Sequence, residues 1–199
     1  MSANSKILAE KLRENALRLR VRQKFDGELR EWLPVYKYLL QHHIHHRIEY
    51  LAAIKEEERP YWERAIRDLQ DEYPQLSESQ LIVAEANPAH VAVLDYFPNT
   101  HPLRYVPDLP VVFRFEGDLQ KAMNTCRSFL PDVSEVFLFY EQYTPLLRMG
   151  LDDLCNHAAH LMEPLDNVFV TSPDYRFLIF KSLEDEWRAG RCKSDVASL

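Results

Sequence analysis

Glycine is scarce in this chain: 4 of its 199 residues are glycine, against 12 prolines. Neither G-x-G-x-x-G nor G-x-x-x-x-G-K-[ST] occurs, so the sequence lacks the glycine-rich loops with which many enzymes cradle phosphate groups. It also lacks the G-x-S-x-G turn that presents a catalytic serine. These absences count against nucleotide-binding enzymes and serine hydrolases.

Cysteine and long apolar segments are also limited. The three cysteines, Cys126, Cys155 and Cys192, are odd in number and widely spaced, which indicates free thiols in a reducing compartment. No run of about 18 apolar residues is present. The first twenty residues carry acids and lack the apolar centre of a secretory signal. We therefore expect a cytoplasmic protein without an integral membrane segment.

The net charge of −7 hides an uneven distribution. Residues 1–25 contain seven bases and two acids, a local charge of +5, which leaves −12 on the rest of the chain. We expect this basic segment either to lie on the acidic body or to stay solvated. An acidic body repels nucleic acid and attracts basic partners over a long range, so nucleic acid is not the expected partner.

Residues 1–80 are predicted to form a helical N-terminal region, because apolar residues recur there at helical spacing. The first set is Leu8, Leu12, Ala16 and Leu19, and the segment Trp32-Leu33-Pro34 marks a break after it. The second set predicts a helix over 40–51 and comprises Leu40, Ile44, Ile48 and Leu51. The acidic run 56–58 is predicted to stand at the end of a helix. The third set follows Pro60, a typical first residue of a helix, and comprises Trp62, Ile66, Leu69 and Tyr73.

Residues 81–199 are predicted to form a mostly antiparallel sheet with covering helices. Segments rich in β-branched and aromatic residues predict strands at 81–86, 90–97, 111–117, 135–143, 167–172 and 176–182. Helices are predicted over 118–130 and 151–162, a proline-rich loop over 97–110 and a hairpin turn at Ser172-Pro173-Asp174. The predicted fold class is α+β, with both regions packed as one globular unit.

The histidine-rich run QHHIHH provides a first candidate site. On the predicted helix, His42, His46 and Glu49 lie on one solvent-facing side. A histidine pair at i,i+4 with a carboxylate one turn further can bind a divalent metal. A solvated polar face and a pH-responsive or partner-contacting face are the alternatives. We expect no other metal or cofactor.

A second candidate site is the acidic run Glu184-Asp185-Glu186, which precedes Trp187. Tryptophan is enriched as an anchor of protein interfaces, and neighbouring acids suit a partner surface rich in arginine or lysine. A solvated acidic face is the alternative.

The segment NVFVTSPDYRFLIFKSLEDEW resembles the closing hairpin of small bacterial immunity proteins that neutralise polymorphic toxins. With the strand and helix before it, the resemblance covers about a quarter of the chain and leaves residues 1–80 outside. It implies a non-enzymatic, acidic, cytoplasmic protein that masks the active site of a toxin. The contacts we expect are those at the hairpin and at the acidic run, namely Asp174, Tyr175, Glu184, Asp185, Glu186 and Trp187.

We therefore expect a protein-binding module whose partner is a toxin domain with a basic cleft. Two alternatives stay open. One is a metal-dependent enzyme that uses His42, His46 and Glu49. The other is a regulator whose basic first helix docks on nucleic acid or on an anionic membrane.

Overall fold

The computed structural model describes residues 3–76, 80–101, 103, 105–109, 119–128, 130, 132–140, 144–162, 167–184 and 187–192. The α-helices within these ranges are α1 (Ala3–Lys24), α2 (Arg30–Gln41), α3 (Arg59–Gln70), α4 (Pro88–Tyr96), α5 (Leu119–Ser128), α6 (Leu151–Asn156) and α7 (Ala158–Leu161). The strands are β1 (His46–Tyr50), β2 (Ala52–Ile54), β3 (Leu81–Val83), β4 (Glu135–Phe139), β5 (Leu146–Gly150), β6 (Val168–Thr171), β7 (Phe177–Lys181) and β8 (Trp187–Arg191).

Six of these strands form one antiparallel sheet in the order β1-β5-β4-β6-β7-β8. The short strands β2 and β3 pair in parallel as a separate ribbon. The chain is therefore α+β, a helical N-terminal part followed by a mostly antiparallel sheet, as predicted. The edge strand β1 comes from the first eighty residues, next to the helical part.

Both faces of the six-stranded sheet are covered. Side chains alternate between the two faces along each strand. Val136, Val170 and Ile179 belong to one buried cluster, which also contains residues of the N-terminal helices and of α5–α7. Phe139 and Phe169 belong to a second cluster on the opposite face, beneath α4 and the loop that follows it. The fold thus has three layers, with the sheet in the middle.

The basic helix α1 lies on the acidic run Glu56–Glu58. Lys24 Nζ is 3.1 Å and Arg20 Nη1 is 3.4 Å from the buried Glu58 carboxylate. Arg13 Nη2 is 3.3 Å from Glu57 Oε2 nearer the surface. Burial raises the pKa of Glu58, but the hydrogen bond and the charge of Lys24 hold that pKa below its usual range. Of the two expected arrangements, the helix adopts the one that neutralises acids of its own chain.

The same acids correct one prediction. Residues 56–58 form a 3-10 turn that leads into α3, whereas the sequence pattern placed them at the end of a helix. Negative charge is stabilised at the start of a helix, because the backbone N–H groups there point outward. Pro60 lies in the first turn of α3, one residue after the helix begins at Arg59, and Trp62, Ile66 and Leu69 are buried on this helix. Tyr73, the last residue of the predicted set, is also buried but follows the end of α3 at Gln70.

The prediction of a helix over 40–51 is wrong. Helix α2 ends at Gln41, because His43 adopts a left-handed conformation with φ of 52°. The backbone N–H of Ile44 then donates to the Leu39 carbonyl at 3.0 Å, the bond typical of a Schellman cap. Both of these apolar residues are buried. The chain continues as strand β1, in which Ile48 lies on the face covered by the N-terminal helices and α5–α7.

The predicted break at Pro34 is also wrong, since Pro34 lies inside α2. A π-helical turn, Phe25–Leu29, precedes it and joins α1 to α2 without interruption. In this turn the N–H of Arg30 bonds to the carbonyl of Phe25. Such wide turns occur as single insertions within helices.

The segment 90–97 was predicted as a strand and is helix α4. The Asn87 side chain caps this helix by accepting a hydrogen bond from Ala89 N at 3.0 Å, and Pro88 is its first residue. A cap followed by proline fixes the start of a helix and here outweighs the β-branched content. Strands β5 and β8 were not predicted, and the strand predicted at 111–117 lies outside the described residues.

The remaining predicted elements of the second half are confirmed where they are described. Strands β3, β4, β6 and β7, the helical segments α5 and α6–α7, and the turn between β6 and β7 all lie at the predicted places. The described part of loop 97–110 is closed by an isolated bridge between Asn99 and Pro107.

Candidate partner-binding surface

The turn between β6 and β7 is held by side chains as well as by backbone bonds. Ser172 Oγ donates to Asp174 Oδ1 at 2.6 Å, and Arg176 N donates to the same oxygen at 3.2 Å. Burial raises the pKa of Asp174, but these hydrogen bonds hold it below its usual range. Asp174, predicted as a partner contact, therefore uses one carboxylate oxygen to shape the turn.

Tyr175 is the unusual residue of this turn. Its φ is 59°, in the left-handed region that glycine and asparagine adopt most easily. Its half-buried ring packs on Phe137 of β4 with the centroids 5.8 Å apart. Burial raises the pKa of Tyr175, and the negative charge of Glu49 on β1 adds to the shift. The hairpin tip is thus tied to the neighbouring sheet face by an aromatic pair.

Four charged side chains continue this surface across the sheet. Arg47 pairs with Glu49 along β1, and Arg148 of β5 pairs with Glu135 of β4. Arg148 Nη1 is also 3.9 Å from Glu49 Oε1, so the two pairs are connected. The hydrogen bond from Arg148 lowers the pKa of Glu135.

We call this surface the hairpin patch and define it by Arg47, Glu49, Glu135, Phe137, Arg148 and Tyr175. Register places Arg47 opposite Arg148, and Arg148 opposite Phe137, so these side chains share one face of the sheet. That face is buried beneath α4 around Phe169, whereas the side chain of Arg47 remains 65% exposed. The patch offers an aromatic pair and two arginines, residue types that are enriched at protein interfaces.

The second predicted contact region lies elsewhere. Glu184 is exposed in the turn between β7 and β8, at the other end of β7 from Tyr175. Five strand residues separate the two turns by roughly 17 Å. Trp187 is half-buried and packs against the cluster beneath the N-terminal helices and α5–α7, on the sheet face opposite to the hairpin patch. The structure thus splits the predicted contacts into two places, and Asp185 and Glu186 lie outside the described residues.

The structure separates the three predicted metal ligands, because they do not lie on one helix. His42 follows the last residue of α2, whereas His46 and Glu49 lie on β1. Side chains three residues apart on a strand point to opposite faces. His46 Nδ1 is 2.7 Å from the Ile44 carbonyl, and Glu49 is bound by arginines.

His42 instead belongs to a ring cluster around Tyr38. The imidazoles of His42 and His160 have their centroids 4.1 and 4.3 Å from the Tyr38 ring, and the Tyr38 hydroxyl is 3.0 Å from His157 Nδ1. In the sequence His42 is more than a hundred residues away from His157 and His160. Among the described residues, no three or more His, Cys, Asp or Glu side chains are grouped as metal ligands.

Sequence reasoning missed four members of the hairpin patch. Arg47, Glu135 and Arg148 resemble ordinary exposed charges in the sequence, and Phe137 resembles a core residue. What they share is a charged or aromatic side chain at alternate strand positions that face the same side of the sheet. Which strands are neighbours, and in which register, is set by long-range pairing that local patterns do not specify.

Comparison with protein-family models, with curated proteins and with solved structures gives no match for this chain. None of the helices in the described part combines the length and the apolar character needed to cross a bilayer.

Proposed function

We propose that this chain is a non-enzymatic protein-binding module that uses the hairpin patch as its contact surface. Most concretely, it neutralises a cognate bacterial toxin in the cytoplasm by covering the active site of the toxin. The resemblance of residues 167–187 to the closing hairpin of immunity proteins supports this choice of partner.

The observation that carries the proposal is the conformation of Tyr175. A side chain with a Cβ atom in the left-handed region costs about 1 kcal/mol relative to an ordinary backbone conformation. Backbone strain of this kind is concentrated at functional sites, and its presence supports a functional hypothesis. Here it presents a half-buried tyrosine at an exposed turn, packed on Phe137, which lies opposite Arg148 in the sheet register. Tyrosine and arginine are the residues most enriched among interface hot spots.

Charge supports a basic partner. The chain outside residues 1–25 carries −12, a total that includes exposed Glu184 at the far end of β7. Complementary charge accelerates association and selects partners more than it raises affinity. A toxin that acts on nucleic acid needs a basic cleft for phosphate groups. An acidic protein can therefore compete with the substrate for that cleft.

The test co-expresses this chain with the protein encoded by the gene that precedes its own, where a cognate toxin is expected, and measures growth. Calorimetry then measures the affinity of the purified complex. Tyr175→Gly should weaken the complex roughly 30-fold or more, the scale of a hot spot. The unfolding free energy should change by less than about 1 kcal/mol, because relief of backbone strain offsets the lost ring contact. Tyr175→Phe keeps the ring and should keep most of the affinity.

Tyr96→Ala is the matched control, since Tyr96 is an exposed tyrosine on α4 outside the hairpin patch. It should leave affinity unchanged. Growth that stays arrested in the presence of the native chain contradicts toxin neutralisation. A complex that forms equally well with Tyr175→Gly contradicts only the choice of surface.

A further inference from the structure

Helix α1 exposes apolar side chains over most of its length. Of the residues from Ser5 to Arg20, all are exposed except Leu17, which is half-buried. Ten large apolar side chains are exposed in the described part of the chain, and four of them lie on α1: Ile7 52%, Leu8 60%, Leu12 61% and Leu19 56%. A single exposed leucine needs no explanation, but a line of them does.

Three of these residues form one stripe along the helix. At about 100° per residue, Leu8 and Leu19 lie within roughly 40° of Leu12 around the helix axis. Basic residues border the stripe at about 80–120° on both sides: Lys11, Arg18 and Arg22 on one side, and Lys6, Arg13 and Arg20 on the other. We call the three leucines with these borders the leucine face.

The opposite side of α1 is the side that meets the body. Val21 is buried, and by the same geometry it lies about 180° from Leu12, with Glu10 and Glu14 close to the same direction. The two acids of the helix are thus turned away from the leucine face. The ion pairs of Arg20 and Lys24 with Glu58 hold the helix in this orientation. The leucine face therefore remains uncovered while α1 is attached to its own chain.

Charge decides what can cover this face. A second copy of α1 would bring the same basic borders against each other, which is unfavourable at short range. Nucleic acid would contact the bases but would leave the leucines without an apolar surface. An anionic lipid bilayer suits both the leucines and the basic side chains. The leucines enter the acyl boundary, while lysine and arginine side chains extend to the phosphate groups.

We infer that α1 docks in the plane of an anionic lipid bilayer through its leucine face. The helix has 22 residues and is about 33 Å long, enough to lie along the surface. Lys6, Lys11 and Arg18 form no ion pair with any residue in the described ranges, so they can bind lipid phosphates without breaking contacts. The acidic remainder of the chain is repelled by such a surface, which limits attachment to α1. This inference is independent of the hairpin patch.

The test measures co-sedimentation of the full chain with vesicles of phosphatidylcholine and phosphatidylglycerol in equal amounts. Vesicles of phosphatidylcholine alone are the comparison. Binding should require the anionic lipid and should weaken steeply as salt is added. The triple variant Leu8→Ala, Leu12→Ala, Leu19→Ala should bind at least tenfold more weakly. Each substitution removes about three side-chain carbon atoms that would be buried in the bilayer.

Two further variants separate the components of the leucine face. Lys11→Gln with Arg18→Gln should weaken binding about tenfold or more, since both charges lie near the lipid surface. Ile7→Ala is the matched control: Ile7 is exposed on the same helix but lies about 140° from Leu12. It should change binding by less than about twofold. Circular dichroism on each variant checks that α1 remains helical.

Three results would overturn the inference. The first is no binding to the anionic vesicles at low salt. The second is binding to a nucleic-acid duplex that needs the bases but not the leucines, which would assign the face to nucleic acid. The third is a dimer in analytical ultracentrifugation that the triple leucine variant abolishes, which would assign it to a second copy.

Discussion

Helices α1 and α3 both carry apolar residues at helical spacing, but those of α1 are exposed and those of α3 are buried. Leu8, Leu12 and Leu19 on α1 are each more than half exposed, whereas the apolar set on α3, beginning with Trp62 and Ile66, is buried. The spacing of apolar residues predicts that a segment is a helix. It does not specify whether the apolar stripe finds a partner within the same chain. That depends on which other elements the fold brings to the stripe.

The partner of the α3 stripe comes in part from the end of α1. The ring of Phe25, just after α1, packs edge-on against Trp62 with the centroids 6.2 Å apart. The apolar residues buried at this end of α1 are thus Val21 and, just after the helix, Phe25, rather than the three leucines of the leucine face. Ion pairs to Glu58 supplement this short apolar contact. Helix α3 is therefore held mainly by apolar burial, and α1 by a mixture of burial and charge.

The largest effect should come from the buried stripe. Trp62→Ala should lower the unfolding free energy by about 3–5 kcal/mol, because it removes a fully buried side chain and leaves a cavity. Urea unfolding followed by circular dichroism measures the change. A loss below about 1 kcal/mol would mean that the α3 stripe is not part of the main core.

The charged attachment of α1 should contribute less. Glu58→Gln should lower the unfolding free energy by about 2 kcal/mol, since it leaves the partly buried ammonium group of Lys24 without its counter-charge. Glu57→Gln is the control. Its ion pair with Arg13 is exposed on both sides and should contribute less than about 0.5 kcal/mol. Equal effects of the two substitutions would mean that burial of Glu58 does not matter.

Acidification tests the same attachment without mutation. The pKa of Glu58 is lower in the folded chain than its ordinary value of 4.5, so the unfolded chain binds the proton more readily. The resulting stabilisation is fully present above pH 4.5 and is lost as the pH falls through the folded pKa. Native chain and Glu58→Gln should therefore converge in stability as the pH falls below 4.5, as urea unfolding at each pH would show. A constant difference across that range would contradict this account of Glu58.

These contrasts show what local patterns specify. The start of α3 close to Pro60 and the turn at Ser172-Pro173-Asp174 were predictable, because each depends on residues within a few positions. The stop of α2 was not, since it depends on His43 adopting a conformation that glycine favours. A helical stripe was assigned to residues 40–51, where the chain turns and then pairs as β1.

The candidate site follows the same division. Tyr175 was predicted as a contact from its place in the hairpin, although no pattern indicated its strained backbone. Its ring partner Phe137 lies on β4, and Arg148 lies opposite Phe137 on β5. The strand order β5-β4-β6-β7 of the sheet brings these positions onto one surface. Non-local pairing of this kind is decided by the complete set of strands. A single segment does not contain that information.

The smallest effect should come from the exposed stripe. The triple variant Leu8→Ala, Leu12→Ala, Leu19→Ala should change the unfolding free energy by less than about 0.5 kcal/mol, because the side chains are exposed and alanine favours helix. The two variants should therefore differ in what they lose: Trp62→Ala loses stability, whereas the triple leucine variant loses only vesicle binding. A loss above about 1 kcal/mol in the leucine variant would mean that part of the chain covers the stripe in solution. The leucine face would then belong to the core, as the Trp62 stripe does.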